Sequence, residues 1–351
     1  MPAKETAAER RSQGGLQSVG WRAWVIPIDH LSGMSGRGCN LIVRVGAQNR
    51  ARRRVQEALQ PPTLEATLSD LCATAGVALW SDDKVWDAME AHRWYPPSSR
   101  RVTTENYELA VTPGSSGLTW IYGFRANDTQ DAERLLDEIR EKVKSLGGTG
   151  ARIQVTPLAR PPVLGDLLLR WQFEPKEVAE VLVCDLRDES GREKLPSFRP
   201  TPGLAVREIT TRDDYDAVED LNRAIFELPA PPAETRAIFI ETYERQVRET
   251  GHSDRFLARE GGRAVGNAGL ALEGAVAFLW GAGVFPEFRG RGVYGALVVA
   301  RCKSAAERGA EIALTTARTG TSGPILKRHG FRVVGPIQVF EAAWSRPERS
   351  S

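Results

Sequence analysis

The sequence predicts an α/β fold, α+β in its antiparallel share, made of two copies of one strand–helix–strand unit with mixed, mostly antiparallel sheets and flanking helices. Three observations carry this. The chain has 351 residues, about two domains at the usual domain size. Short β-rich runs alternate with helical periodicity from residue 100 onward. The stretch 118–186 also repeats in outline at 276–343: strand, helix to a glycine, strand, proline-containing helix, phenylalanine, strand. The landmarks keep their spacing: Trp120 to Gly148 is 28 residues and Trp280 to Gly309 is 29, while Gly148 to Phe173 is 25 and Gly309 to Phe331 is 22.

In chain order, residues 1–20 are small and polar and are expected to form a disordered tail. The first copy is expected over 21–187. It opens with strand-like runs in 21–45 and a helix over 50–59 that Pro61 and Pro62 stop. Pro96, Pro97, Ser98 and Ser99 mark a loop before a strand (YELAV), a Pro-Gly-Ser turn and a second strand (LTWIYGF). Asn127, Asp128 and Thr129 offer caps to a helix whose apolar face is Leu135, Leu136, Ile139, Val143 and Leu146, closed by Gly147 and Gly148. Residues 188–203 form a charged, proline-bearing linker with little to bury. The second copy, 204–346, restarts with a strand (LAVREI), helices over 213–226 and 232–248, and three strands with turns at Gly261-Gly262 and Gly274. Residues 347–351 are a tail.

Composition excludes several classes. Hydrophobic residues make up 41% and charged residues 26%, ordinary for a globular protein. The longest apolar stretch, 275–285, is too short to span a bilayer and no signal peptide is evident, so a cytoplasmic protein without membrane contact is expected. The four cysteines and four histidines are scattered, so no disulfide framework and no metal site is expected. Net charge is +2, but residues 1–60 are basic and Arg50, Arg52, Arg53 and Arg54 form a run that fits either a solvated helix face or a polyanion contact.

The copies differ after the tryptophan strand. The second has Arg289-Gly290-Arg291-Gly292-Val293-Tyr294-Gly295, whereas the first has Arg125-Ala126-Asn127-Asp128-Thr129-Gln130 and no glycine. A glycine-rich turn between strand and helix exposes backbone N–H groups at the helix N-terminus, and the helix dipole adds to the pull on an anion such as pyrophosphate. Arg289 and Arg291 are placed to add charge-assisted bonds. The same letters match the dinucleotide GxGxxG, but strands precede the motif and no acid ends the following strand, so a nicotinamide site is not expected. No Gly-Lys-Ser/Thr follows, which excludes a nucleoside-triphosphate loop.

Arg289-Gly-Arg-Gly292 and the amphipathic helix after it resemble the acyl-CoA loop of the GNAT (GCN5-related N-acetyltransferase) superfamily, Gln/Arg-x-x-Gly-x-Gly/Ala, with Tyr294 at the sixth position. The resemblance reaches from Leu204 to the Gly330-Phe331 ending, and the first copy looks like the same fold without its loop, a tandem layout similar to mycothiol synthase. It implies a splayed strand over 279–285, with Val284 and Phe285 at its end, offering N–H groups to an acyl-CoA donor whose pyrophosphate lies on 289–295. It implies acyl transfer, most simply acetyl transfer from acetyl-CoA, to a small-molecule amine, without metal.

The acid and base are open at this point. The family's tyrosine four residues before the final Gly is replaced by Leu326. Tyr294 is a phenol near the thiolate path or a packing residue; Ser322 lies near the thiol or caps its helix; Glu273 is a base candidate or a solvated turn residue. His329 reads as structural. Two other functions remain: a transferase taking its acyl group from aminoacyl-tRNA, held through residues 50–54, and a non-catalytic binder of acyl-CoA or a metabolite. A monomer or homodimer fits either.

Overall fold

The computed structural model describes residues 80–344, except 94, 96–98, 112–117, 189, 200, 227–229 and 231–232. The strands expected over 21–45, the helix over 50–59 and the basic run at 50–54 lie outside the described residues.

The chain forms α1 (Asp82–Ala91), β1 (Arg100–Thr103), β2 (Glu108–Val111), β3 (Thr119–Tyr122), α2 (Thr129–Ser145), β4 (Gly150–Val155), α3 (Leu164–Arg170) and β5 (Glu174–Asp185). It continues with β6 (Leu204–Glu208), α4 (Arg212–Phe226), α5 (Ala233–Thr250), β7 (Arg255–Glu260), β8 (Arg263–Glu273), β9 (Val276–Val284), α6 (Val293–Glu307), β10 (Ile312–Arg318), α7 (Ser322–Lys327) and β11 (Arg332–Ala343).

Among the described residues all strands join one 11-stranded mixed sheet in the order β1-β2-β3-β4-β11-β5-β10-β9-β8-β7-β6. The repeat seen in sequence is a repeat of pairing. β2–β3 is antiparallel, β3–β4 parallel and β4–β11 antiparallel. β8–β9, β9–β10 and β10–β5 follow the same three senses. The last strand of each half crosses over: β5 completes the second half's sheet beside β10, β11 completes the first half's beside β4, and the two pair with each other at the centre. The linker over 188–203 divides the elements in sequence, and the sheet crosses that division.

α2 is capped as its sequence demands, with the Asp128 carboxylate accepting the Asp131 N–H, and Leu135, Leu136, Ile139 and Val143 are buried against the first half of the sheet. α6 covers one face of the second half, its Val293, Leu297, Val298 and Cys302 meeting Ala277, Leu279 and Ala313. α4 and α5 cover the other face through Tyr215, Val218, Leu221, Ile240 and Tyr243. α1, which the sequence reading passed over, lies on the central strands with Val85 and Trp86 against Val181, Val183, Phe278 and Leu314. The signal for it is Ser81, whose hydroxyl accepts the Lys84 N–H, followed by Asp82 and Asp83 in the first turn.

Candidate active site

β9 runs parallel to β10 only from Val276 opposite Ile312 to Phe278 opposite Leu314. One side-chain bond extends the contact, Thr315 Oγ1 donating to the Leu279 carbonyl at 2.8 Å; beyond it the described residues show no pairing between the two strands. The divergence coincides with a bulge. Asn267 faces Gly283 but Gly269 faces Trp280, so β9 carries one extra residue, and Gly281 there has a left-handed φ of 58°. Arg301 of α6, 2% exposed, fastens the bulge: its Nη1 donates to the carbonyls of Gly269 at 2.9 Å and Trp280 at 3.3 Å. A splayed strand was expected over 279–285, and its opening starts where expected.

At the end of that strand the N–H groups do not all face the opening. Phe285 N–H donates to the Val265 carbonyl on the β8 side, which removes Phe285 from the donors the strand can offer. Backbone direction alternates along a strand, so Val284 faces the open side, where its carbonyl accepts Arg289 Nε at 3.2 Å.

Gly290 and Gly292 both have left-handed φ, 74° and 83°, a conformation that L side chains resist. The turn delivers the chain into α6 with Gly292 as N-cap and no side-chain cap, and the first helical bond runs from Ala296 N–H to the Gly292 carbonyl. The N–H groups of Val293, Tyr294 and Gly295 therefore have no acceptor within the helix. The two glycine faces differ. A Cβ on Gly290 would meet nothing within 4 Å, whereas one on Gly292 would lie 2.3 Å from Thr201 Oγ1 and one on Gly295 2.3 Å from the Phe198 ring. Part of the room expected for an anion is thus filled by the chain's own linker. Thr201 Oγ1 also donates to the Arg291 carbonyl at 3.1 Å, and Phe198 stacks on His329 at 3.8 Å. His329, further held to the Ser197 carbonyl, is the packing residue the sequence suggested. Arg291 pairs with Glu260 at 2.7 Å. The donor surface left open is the Gly290 side and the exposed guanidinium of Arg289. This set fits a phosphate-bearing donor, provided it lies towards Gly290 or displaces the linker.

Tyr294 and Ser322 come together: the serine hydroxyl hydrogen-bonds the phenol, whose pKa burial raises, with the Arg301 charge opposing. Ser322 is not the helix cap, because Thr321 holds that position. Leu326 is fully buried where the family's tyrosine was sought. Glu273 lies at the far end of β8, opposite Val276. It is eight β9 residues from Val284, about 26 Å along the strand, and its Oε1 is 2.6 Å from His92 Nδ1. It is neither a free carboxylate nor a neighbour of the glycine loop.

The corresponding place in the first half is closed. α2 begins at Asp128, whose carboxylate takes the Asp131 N–H, and Asp131 takes the Asn127 N–H at 3.0 Å. Two carboxylates occupy the N-terminus that an anion would need. The opening between β3 and β4 is also rejoined, Ala126 N–H donating to the Arg160 carbonyl at 3.1 Å. Among the described residues no group of three or more His, Cys, Asp or Glu could hold a metal ion, and no helix is long and apolar enough to cross a membrane.

Residues 215–331, from within α4 to just past α7, match the family model described as Acetyltransferase (GNAT) family. The fold is similar to the GCN5-related N-acetyltransferase from Kribbella flavida, at 16% identity and a TM-score of 0.53, covering 78% of this chain and 98% of that one. It is also similar to the GCN5-related N-acetyltransferase from Sphaerobacter thermophilus, at 17% identity and a TM-score of 0.50, covering 75% of this chain and 85% of that one. At these identities the likeness is one of fold. No curated protein matches the chain.

Proposed function

We propose that the chain is an acyl-CoA-dependent N-acyltransferase that moves an acetyl group from acetyl-CoA to a primary amine of a small molecule. The second half carries the site; the first is a second copy of the same fold without a donor loop. The observation that carries the reading is the conjunction at residues 279–295. An opened strand edge, two left-handed glycines and three helix N–H groups without helical acceptors lie together in the second half, while Asp128 and Asp131 fill the matching helix end in the first.

In this reading the donor's pyrophosphate rests on the Gly290 side of the loop with Arg289 beside it. The thioester lies against the unpaired backbone beyond Leu279, whose N–H groups polarise the carbonyl and take up negative charge as the amine attacks. Holding both reactants on one surface supplies much of the rate. Carbon–sulfur cleavage leaves a thiolate, and Tyr294 is the nearest proton donor the loop supplies. Its raised pKa keeps it protonated at neutral pH, and Ser322 fixes its orientation.

Isothermal titration of the full chain with acetyl-CoA tests this. Gly290→Asp places a carboxylate on the open side of the loop without a steric clash, and Asp tolerates the left-handed region better than most residues. The expected result is saturable binding by the wild type and at least a tenfold loss in the variant, compared at a temperature where both are folded. An absence of binding by the wild type would overturn the proposal.

A further inference from the structure

The segment that follows α1 joins the two halves by adjacent side chains. Arg93 turns to the first half, its Nε 3.5 Å from Glu108 and its guanidinium 5.3 Å from the Tyr122 ring. His92 turns to the second. Its ring stacks on Phe278 at 3.9 Å and 14°, and its Nδ1 is 2.6 Å from Glu273 Oε1. Both members are partly open to solvent, at 22% for His92 and 37% for Glu273.

The face on which this pair sits matters. Along β9, Ala277 and Leu279 pack towards α6, while Val276 and Phe278 face the core covered by α1. Glu273 stands opposite Val276 in the ladder and shares that face. A donor whose phosphates rest on the α6 loop enters from the α6 side, so a nucleophile must meet the carbonyl from the opposite face. That face is the one His92 covers. Phe278 and the bulge at Trp280 are two residues apart, about 7 Å along the strand, which sets the His92 ring on the same face near the start of the opened edge.

We propose that His92 is the general base of the transfer, oriented by Glu273. The proposal rests on the acyltransferase reading. Glu273 accepts the Nδ1–H, which assigns the neutral tautomer and leaves the Nε2 lone pair for a proton. The amine nitrogen bonds to the thioester carbon, its N–H proton passes to Nε2, and the carbon–sulfur bond breaks. The departing thiolate takes the Tyr294 proton, giving amide and free thiol. Solvent then carries the proton from the imidazolium to the phenolate, and the enzyme is restored.

Among the described residues the charged groups around the ring are few. β8 presents Glu273 and β9 presents Phe278, without charge. On the ring's own segment Glu90 is tied to Arg125 and Arg93 to Glu108. A base that accepts a proton must be neutral to act, so activity should fall at low pH.

The test uses the full chain, acetyl-CoA and whichever of spermidine, glucosamine and phenylethylamine the wild type acetylates fastest, read as free thiol from pH 5.5 to 9. His92→Gln is expected to bind acetyl-CoA as the wild type does, to lose about 100-fold in kcat/KM, within the range usual for general bases, and to lose the acidic limb. His92→Ala is expected to regain rate when imidazole is added, because the stacking slot on Phe278 is left open. Glu273→Gln, which leaves the ring less firmly oriented, is expected to lower kcat/KM while acetyl-CoA binding stays as in the wild type. Retention of rate and limb in His92→Gln overturns the assignment while leaving the acyltransferase reading intact; so does a loss that imidazole does not restore in a variant that still binds acetyl-CoA. A wild type that binds acetyl-CoA but acetylates none of the three amines overturns it as a base for amines of these kinds. A wild type that does not bind takes both proposals down.

Discussion

Asp254 shows how far a single side chain can depart from its usual chemistry here. It is buried, no other described residue hydrogen-bonds its carboxylate, and burial pushes its pKa up to about 7, the charges of Arg255 and Arg308 and its own backbone N–H only partly opposing. The folded form therefore holds a proton that the unfolded chain has released above pH 4. Stability from this group is full at low pH and is lost as pH rises towards 7. Asp254→Asn, which stays neutral, should flatten the fall in melting temperature between pH 5 and 8 and exceed the wild type at pH 8, as differential scanning fluorimetry across buffers would show. Nothing in the sequence singled out this residue, since burial and the lack of partners are properties of the packed molecule. Gly290 and Gly292 were legible for the opposite reason: a glycine in a strand-to-helix turn announces a backbone conformation by itself. Glu273 lay between these cases. Its position at a strand end was readable, but its partner is 181 residues away, and no local pattern points to a contact of that range.

Among the elements, the linker departs furthest from expectation. Its composition suggested a spacer with little to bury. Proline and charge do keep it irregular, yet Leu195 and Phe198 pack against the α6 core, and Thr201 bonds the loop it crosses. Two effects should separate in Phe198→Ala. Loss of half-buried ring area should lower stability by about 1–2 kcal/mol, measurable by urea denaturation. Removal of a group that overlies Gly295 should tighten acetyl-CoA binding several-fold in titration. The helices tell a simpler story. α2 was legible to its caps, because an apolar face, Asp128 and two terminal glycines all agree. α1 was not, because a 10-residue helix burying only Val85 and Trp86 leaves little periodicity to read.

For the molecule as a whole, the sequence suggested an order of elements that recurs, matched by the recurring pairing senses, and could not show that β5 and β11 cross between the halves. Both arrangements satisfy the same alternation of apolar residues along β5 and β11, so the hydrophobic pattern is silent between them. The crossing makes a prediction at this scale. The backbone between 186 and 204 can be cut at the exposed Arg192 or Lys194, and the fragments should still co-elute in native size-exclusion chromatography, parting only in denaturant. β5 would remain paired on both sides, with β10 over seven residue pairs and with β11 beyond. Two independent domains on a tether would separate at once.

The same crossing sets the timing of folding during synthesis. β4 pairs with β3 at once but finds its second neighbour only when residues 338–343 of β11 are available, close to 190 residues after β4 itself has emerged. The first half cannot close its sheet while the second is being made, and its exposed edge must be kept from other chains for that interval. Pairings of such sequence separation are slow to form. A ribosome that pauses after β10 would therefore hold a second half whose strands are all paired from β5 to β6 and a first half that still waits for β11.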